Sequence, residues 1–123
     1  MNKYWGYHLM LDCGNCDITK MTDKDNIRSF VKELVESIDM IAVGDVWIEQ
    51  TAIGIPEKEG FSMYQLIVTS NISAHFVDVP KQIYLDVFSC KEFNKKIVVD
   101  TVIKFFNPTN INQNFIIRNA SNV

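Results

Sequence analysis

Residues 61 to 90 constrain the fold more than any other part of this chain. FSMYQLIVTS (61–70), NISAHFVDV (71–79) and QIYLDVFSC (82–90) follow one another with only PK between the last two, and all are rich in β-branched and aromatic residues. Such runs suit a pleated, half-buried surface. Connections this short make neighbouring strands antiparallel, because a parallel return needs a crossover of a dozen or more residues. DVWIEQTAI (45–53), which precedes them across the breaker-rich GIPEKEG, reads as a further strand of the same sheet.

The rest of the chain supplies a cover for that sheet. YWGYHLMLDC (4–13) alternates loosely, with Tyr7, Leu9 and Leu11 on one side and His8, Met10 and Asp12 on the other, and reads as a first strand. CGNCDITKMTDKDN (13–26) reads as loop. Ile27, Phe30, Val31, Leu34, Val35 and Ile38 then form one apolar helical stripe, with Thr22 or Asp23 available as N-cap. Phe93, Ile97, Thr101, Val102 and Phe105 mark a second amphipathic helix that ends at the NP of 107–108, and QNFIIRN (113–119) is a last strand. The expected architecture is α+β: a two-layer α/β sandwich, an antiparallel sheet with two helices on one face. Its 123 residues show no linker or repeat and form a single expected domain, 1–123.

Charge and composition narrow the function. A net charge of −3 leaves no basic patch to gather phosphates, so no nucleic-acid partner is expected. The N-terminus lacks the apolar core of a signal peptide, and no stretch approaches the roughly 18 apolar residues of a membrane span. A soluble, cytoplasmic protein with no membrane partner is expected. Three cysteines make a disulfide framework unexpected in that compartment. Cys13 and Cys16 form a C-x-x-C pair, which serves redox chemistry or half a zinc site, but no second such pair follows and no metal is expected.

VTSNISAHF (68–76) places small polar side chains inside a run that a sheet would bury. A buried polar group without a hydrogen-bond partner costs about 1–3 kcal/mol, so these residues need partners or a purpose. In an extended strand Ser70, Ile72, Ala74 and Phe76 share one face, and Asn71, Ser73 and His75 the other. A serine at a strained strand junction can attack the carbonyl of the preceding peptide, here that of Thr69, and move the acyl group from nitrogen to oxygen. That shift needs a general acid or base, for which an imidazole suits neutral pH. His75 reaches Ser70 only if the chain turns or bulges between them. Taken singly, Ser70 reads as a turn hydroxyl, His75 as a hydrogen-bonded core histidine, and Cys90 as a small buried hydrophobe. Phe105 and Phe106 read as core, and the acidic DKD (23–25) as the first turn of a helix.

Three pieces, WGYHLMLDCGNCD, GFSMYQLIVTSNISAH and YLDVFSC, resemble the small prokaryotic type of S-adenosylmethionine decarboxylase, a pyruvoyl enzyme of polyamine (spermidine) biosynthesis. From Gly60 through Cys90 the family pattern lies on the chain without a gap. Ser62 falls on its processing serine, Ser70 on the serine that becomes the pyruvoyl group, His75 on its processing histidine and Cys90 on its catalytic cysteine. The resemblance implies a lyase that cleaves itself between Thr69 and Ser70 with help from His75 and Ser62. It also implies a pyruvoyl cofactor made from Ser70, an acid in Cys90, a small-molecule substrate and a homodimer. Short versions of this kind are carried by phages, a source that richness in Asn, Lys and Ile would suit.

The departures from the family keep other readings open. Where it has Glu before the cleavage serine and His after it, this chain has Thr69 and Asn71. Where it has Trp-Pro-Glu, with a carboxylate for the ribose hydroxyls, this chain has Val77, Asp78 and Val79, and the aromatic residue for adenine is missing from IGIPEKEG. Besides S-adenosylmethionine, another amino acid such as ornithine or arginine could be the substrate. A processing-dead relative that binds a metabolite or partner as a regulator is the alternative from a different class.

Overall fold

The structure, a computed structural model, describes residues 5–121. Its elements are β1 (Gly6–Gly14), α1 (Ile18–Met21), α2 (Lys24–Ser37), β2 (Trp47–Thr51), β3 (Gly60–Ile67), β4 (Ser70–Val77), β5 (Gln82–Ser89), α3 (Lys95–Phe106) and β6 (Asn110–Arg118). The strands form one antiparallel sheet in the order β2-β3-β4-β5-β1-β6. Consecutive hairpins build β2 to β5, and the chain's two outer strands meet on their far side, β1 pairing with both β5 and β6. This is the expected α+β sandwich.

The pleat sorts side chains into two sheet faces. Leu9 and Leu11 of β1, Met63 and Ile67 of β3, Ile72, Ala74 and Phe76 of β4, and Ile83, Leu85 and Val87 of β5 are all buried beneath the helices. The apolar stripe of α2 meets them, with Ile27, Phe30, Val31, Leu34, Val35 and Ile38 all buried. Asp23 is the N-cap, accepting from the backbone N–H groups of Asp25 and Asn26. On α3, Asn94 caps the start in the same way and Asn107, in the left-handed conformation, ends it before Pro108. The layers are locked by Phe106, whose ring lies 4.9 Å from that of Phe30 and 5.3 Å from that of Phe76, both edge-on.

Among the described residues, no helix covers the opposite sheet face. Cross-strand register places Trp47, Tyr64, Ser73, Asp86, Met10 and Asn114 in one row across it. The neighbouring row holds Leu66, Asn71, Phe88, His8 and Ile116. Trp47, Tyr64, Leu66, Tyr84 and Ile116 are exposed there.

The region expected as loop, 13–26, differs. β1 runs through Gly14, and Ile18–Met21 form the one-turn α1, capped by Asp17, whose carboxylate accepts from the backbone N–H and the hydroxyl of Thr19. A single turn carries too few residues to show a period, so only its cap could have announced it. The first strand was expected from Tyr4, which lies outside the described residues. The last strand begins at Asn110 rather than Gln113, drawn earlier by nine paired positions along β1.

Truncating Phe106 to Ala removes the ring that joins both helices to the sheet. The expected loss is about 3–5 kcal/mol of unfolding free energy, measured by urea denaturation.

Candidate active site

The four residues singled out in the sequence fall into two groups at opposite ends of β4. The first surrounds the β3–β4 turn. Ser70 opens β4 with its side chain on the helix-covered side, 5% exposed, and its Oγ accepts a hydrogen bond of 2.8 Å from the backbone N–H of Cys90. That bond fixes the hydroxyl oxygen beside the Thr69–Ser70 peptide and accounts for one buried polar atom that the sequence left unexplained. Thr69 Oγ1 and Cys90 Sγ are 2.8 Å apart. A cavity of about 400 Å³ opens next to them, lined by Val43, Leu66, Thr69, Ser70, Asn71 and Phe88.

The three cysteines differ in chemistry. The hydrogen bond from Thr69 holds the Cys90 thiol below its ordinary range. Burial pushes Cys13 up to about 12 and Cys16 up to about 11, and both side chains belong to the core. Cys90 is therefore the thiol able to give up a proton, while the C-x-x-C pair is packing. Among the described residues no group of three or more potential ligands could hold a metal ion.

The second group lies on the uncovered face near the other end of β4. Ser62 and His75 are cross-strand neighbours, and Ser62 Oγ lies 3.0 Å from His75 Nδ1. Thr51, at the end of β2, adds a third member: its Oγ1 is 2.8 Å from Ser62 Oγ and 3.2 Å from the Gly60 carbonyl oxygen. A cavity of about 640 Å³ adjoins them, lined in part by Val77, Gln82 and Tyr84. Another of about 250 Å³ on the other side includes Trp47, Glu49 and Tyr64.

No bulge brings the two groups together. The pairing of β4 with β5 runs unbroken from Asn71↔Phe88 to Val77↔Gln82, so the alternation expected from the sequence holds and His75 points away from the side of Ser70. Five residues of strand separate them by about 16 Å. Within one chain, His75 cannot touch Ser70.

The departures from the family pattern also have places. Thr69, standing where the family has Glu, is the hydrogen-bond partner of Cys90. Val77 lines the cavity beside His75, whereas Asp78 follows the end of β4, its N–H bonded to the Glu59 carbonyl and its Oδ1 buried without a partner. Burial, and then the negative charge of Glu59, raise its carboxyl above the ordinary range. Thr51, Trp47 and Tyr84 escaped attention in the sequence because they join the site only through cross-strand register.

Comparison with known proteins identifies the family and the fold. A family model described as S-adenosylmethionine decarboxylase matches residues 7–119. An S-adenosylmethionine decarboxylase proenzyme of Clostridium botulinum (strain Loch Maree / Type A3) is 26% identical over 90 residues, 73% of this chain and 72% of that one. One from strain Hall of the same species is 27% identical over the same length. The crystal structure of the adenosylmethionine decarboxylase from Aquifex aeolicus VF5 superposes with a TM-score of 0.81 at 20% identity, covering 98% of this chain and 96% of that one, which shows the shared fold. With the family model spanning β1 to β6, the chain belongs to the S-adenosylmethionine decarboxylase family, carboxy-lyases that work through a pyruvoyl group.

Proposed function

We propose that this chain, folded as a single domain, makes its own pyruvoyl group at Ser70 and decarboxylates S-adenosylmethionine in the cytoplasm as a homodimer. The observation that carries the reading is the cluster of Thr69, Ser70 and Cys90 at the β3–β4 turn. Ser70 Oγ, oriented by the Cys90 N–H, attacks the Thr69 carbonyl carbon. The C–N bond breaks, the nitrogen takes a proton, and the two halves are joined by an ester. A base then removes the proton from the Ser70 Cα, the Cβ–O bond breaks, and Thr69 leaves as a carboxylate. The dehydroalanine left at position 70 takes up water and releases ammonia, leaving a ketone at the new N-terminus.

The residues present fit that group: the serine is at a strand junction, its oxygen is held, and an activated thiol stands beside it. A pyruvoyl carbonyl supplies an electron sink for the electrons freed as carbon dioxide departs. Cys90 returns the proton, a task suited to a thiol held below its ordinary range. Trp47, Tyr64 and Tyr84 on the uncovered face offer ring surfaces for a purine and for a sulfonium cation.

The base for the elimination is His75, and the separation along β4 makes it His75 of a second copy. Two uncovered faces packed about a two-fold axis crossing β4 near Ser73 would run the two β4 strands in opposite directions. The Thr51, Ser62 and His75 end of each copy then lies over the Ser70 end of the other. The exposed Trp47, Tyr64, Leu66, Tyr84 and Ile116 support such a face-to-face contact, since a two-fold interface buries the same patch on both subunits.

Three outcomes are expected. The denatured protein should give two masses by intact mass spectrometry, residues 1–69 and a pyruvoyl-capped remainder, and Ser70→Ala should give one full-length mass; persistence of cleavage in that variant removes Ser70 from the reading. Mixing Ser70→Ala with His75→Ala chains, each uncleaved alone, should restore cleavage of the His75→Ala chain. If the mixture stays intact while native protein cleaves, the base is not shared between copies. Cys90→Ala should still cleave, while its decarboxylation rate falls by about a hundredfold or more, followed by carbon dioxide release.

A further inference from the structure

We propose that Thr51 is a positioning residue for self-processing: it sets the direction of the hydrogen-bond chain Gly60–Thr51–Ser62–His75 and so keeps the Nε2 of His75 free of a proton. This goes beyond the four residues above and rests on the reading of His75 as the base.

The argument is a count of protons. The Gly60 carbonyl can only accept, so the Thr51 hydroxyl, 3.2 Å away, donates to it. Thr51 has no second proton, so across the 2.8 Å contact with Ser62 it must accept, and Ser62 must donate. Ser62 has then spent its own proton. The 3.0 Å contact with His75 Nδ1 is satisfied only if that nitrogen carries the hydrogen and gives it to Ser62 Oγ. A neutral imidazole protonated at Nδ1 has its lone pair on Nε2. No hydrogen bond engages Nε2 among the described residues, and His75 lines both cavities of the uncovered face. The arrangement presents a bare nitrogen to the surface where a reacting Cα would arrive.

The end of the chain is held firmly. Thr51 pairs with Gly60 in the last rung of the β2–β3 ladder, and Ala52 beyond it turns into the left-handed region at φ +54°. Gly60 is fixed from the other side, because a Cβ there would collide with the Phe76 carbonyl of β4. The accepting carbonyl therefore sits on backbone clamped between β2 and β4. Without the Thr51 hydroxyl, Ser62 is free to turn its proton onto Nδ1, which moves the imidazole hydrogen to Nε2 and disarms the base. In the Ser-His-Asp triad, an imidazole held in the wrong tautomer costs about 10⁴-fold in rate. Thr51 acts through one intervening hydroxyl, and a smaller effect is expected.

Two measurements test this, one of which needs no cleavage. In the uncleaved Ser70→Ala chain, imidazole ¹⁵N shifts should show His75 protonated at Nδ1 with a bare Nε2. Adding Thr51→Val should move the population toward the Nε2-protonated form. Equal populations with and without the hydroxyl, or a protonated Nε2 in the Ser70→Ala chain itself, overturn the proposal even if native protein never cleaves. In the cleavable chain, Thr51→Val should slow the appearance of the 1–69 fragment by about ten- to a hundredfold. Thr51→Ser, which keeps the hydroxyl, should stay within about threefold of native. A native rate in Thr51→Val, or a Thr51→Ser variant as slow as it, also overturns the proposal. Thr51 is exposed and Val suits a strand, but should the Val variant fold poorly, Thr51→Ala carries the same expectations. Loss of cleavage in His75→Ala, with Thr51→Val unaffected, would separate failure of this proposal from failure of the underlying reading.

Discussion

The position of β4 between β3 and β5 is the constraint from which the site follows. Because both ladders run without a bulge, every residue of β4 is committed to one of two environments: under the helices, where Ile72, Ala74 and Phe76 are buried, or on the open face with Ser73 and His75. A one-residue slip would exchange them, putting an imidazole against Phe106 and a phenylalanine into solvent. The hydrophobic core thus fixes the register, and the register alone brings Ser62 opposite His75. Stability and chemistry are settled by the same hydrogen bonds.

Each group of polar residues is completed by backbone. Ser70 is oriented by the Cys90 N–H and the hydroxyl chain on the open face ends on the Gly60 carbonyl. Main-chain donors and acceptors at the ends of paired strands have fewer degrees of freedom than flexible side chains, which makes them better reference points for chemistry that depends on tenths of an ångström. Thr69, where the family pattern has Glu, instead places a side-chain hydroxyl 2.8 Å from the Cys90 sulfur.

Much of this was legible in the sequence, and what was not had a physical cause. The stripe of α2 could be read because six apolar residues at helical spacing have one compact solution, and all six are buried. The split of Ser70 from His75 followed from parity alone. The one-turn α1 escaped because four residues carry no period, and Thr51 escaped because its role depends on the pairing of β2 with β3 across an eight-residue connection. Periodicity shows which way a side chain faces; only register shows what stands beside it. That Val79 stands where the family pattern has Glu was visible, but that the half-buried Asp78 holds its Oδ1 away from solvent was not.

The strand order has one further consequence. A break between Thr69 and Ser70 divides the sheet into two sets of three strands, β1, β2 and β3 on one piece and β4, β5 and β6 on the other. These sets are not side by side. β3 lies against β4, and β1 is inserted between β5 and β6, so three of the five ladders join the pieces. The severed halves are interleaved like the fingers of two hands, and neither can leave without dismantling the sheet. An enzyme built this way can sacrifice a peptide bond in its middle and lose no architecture.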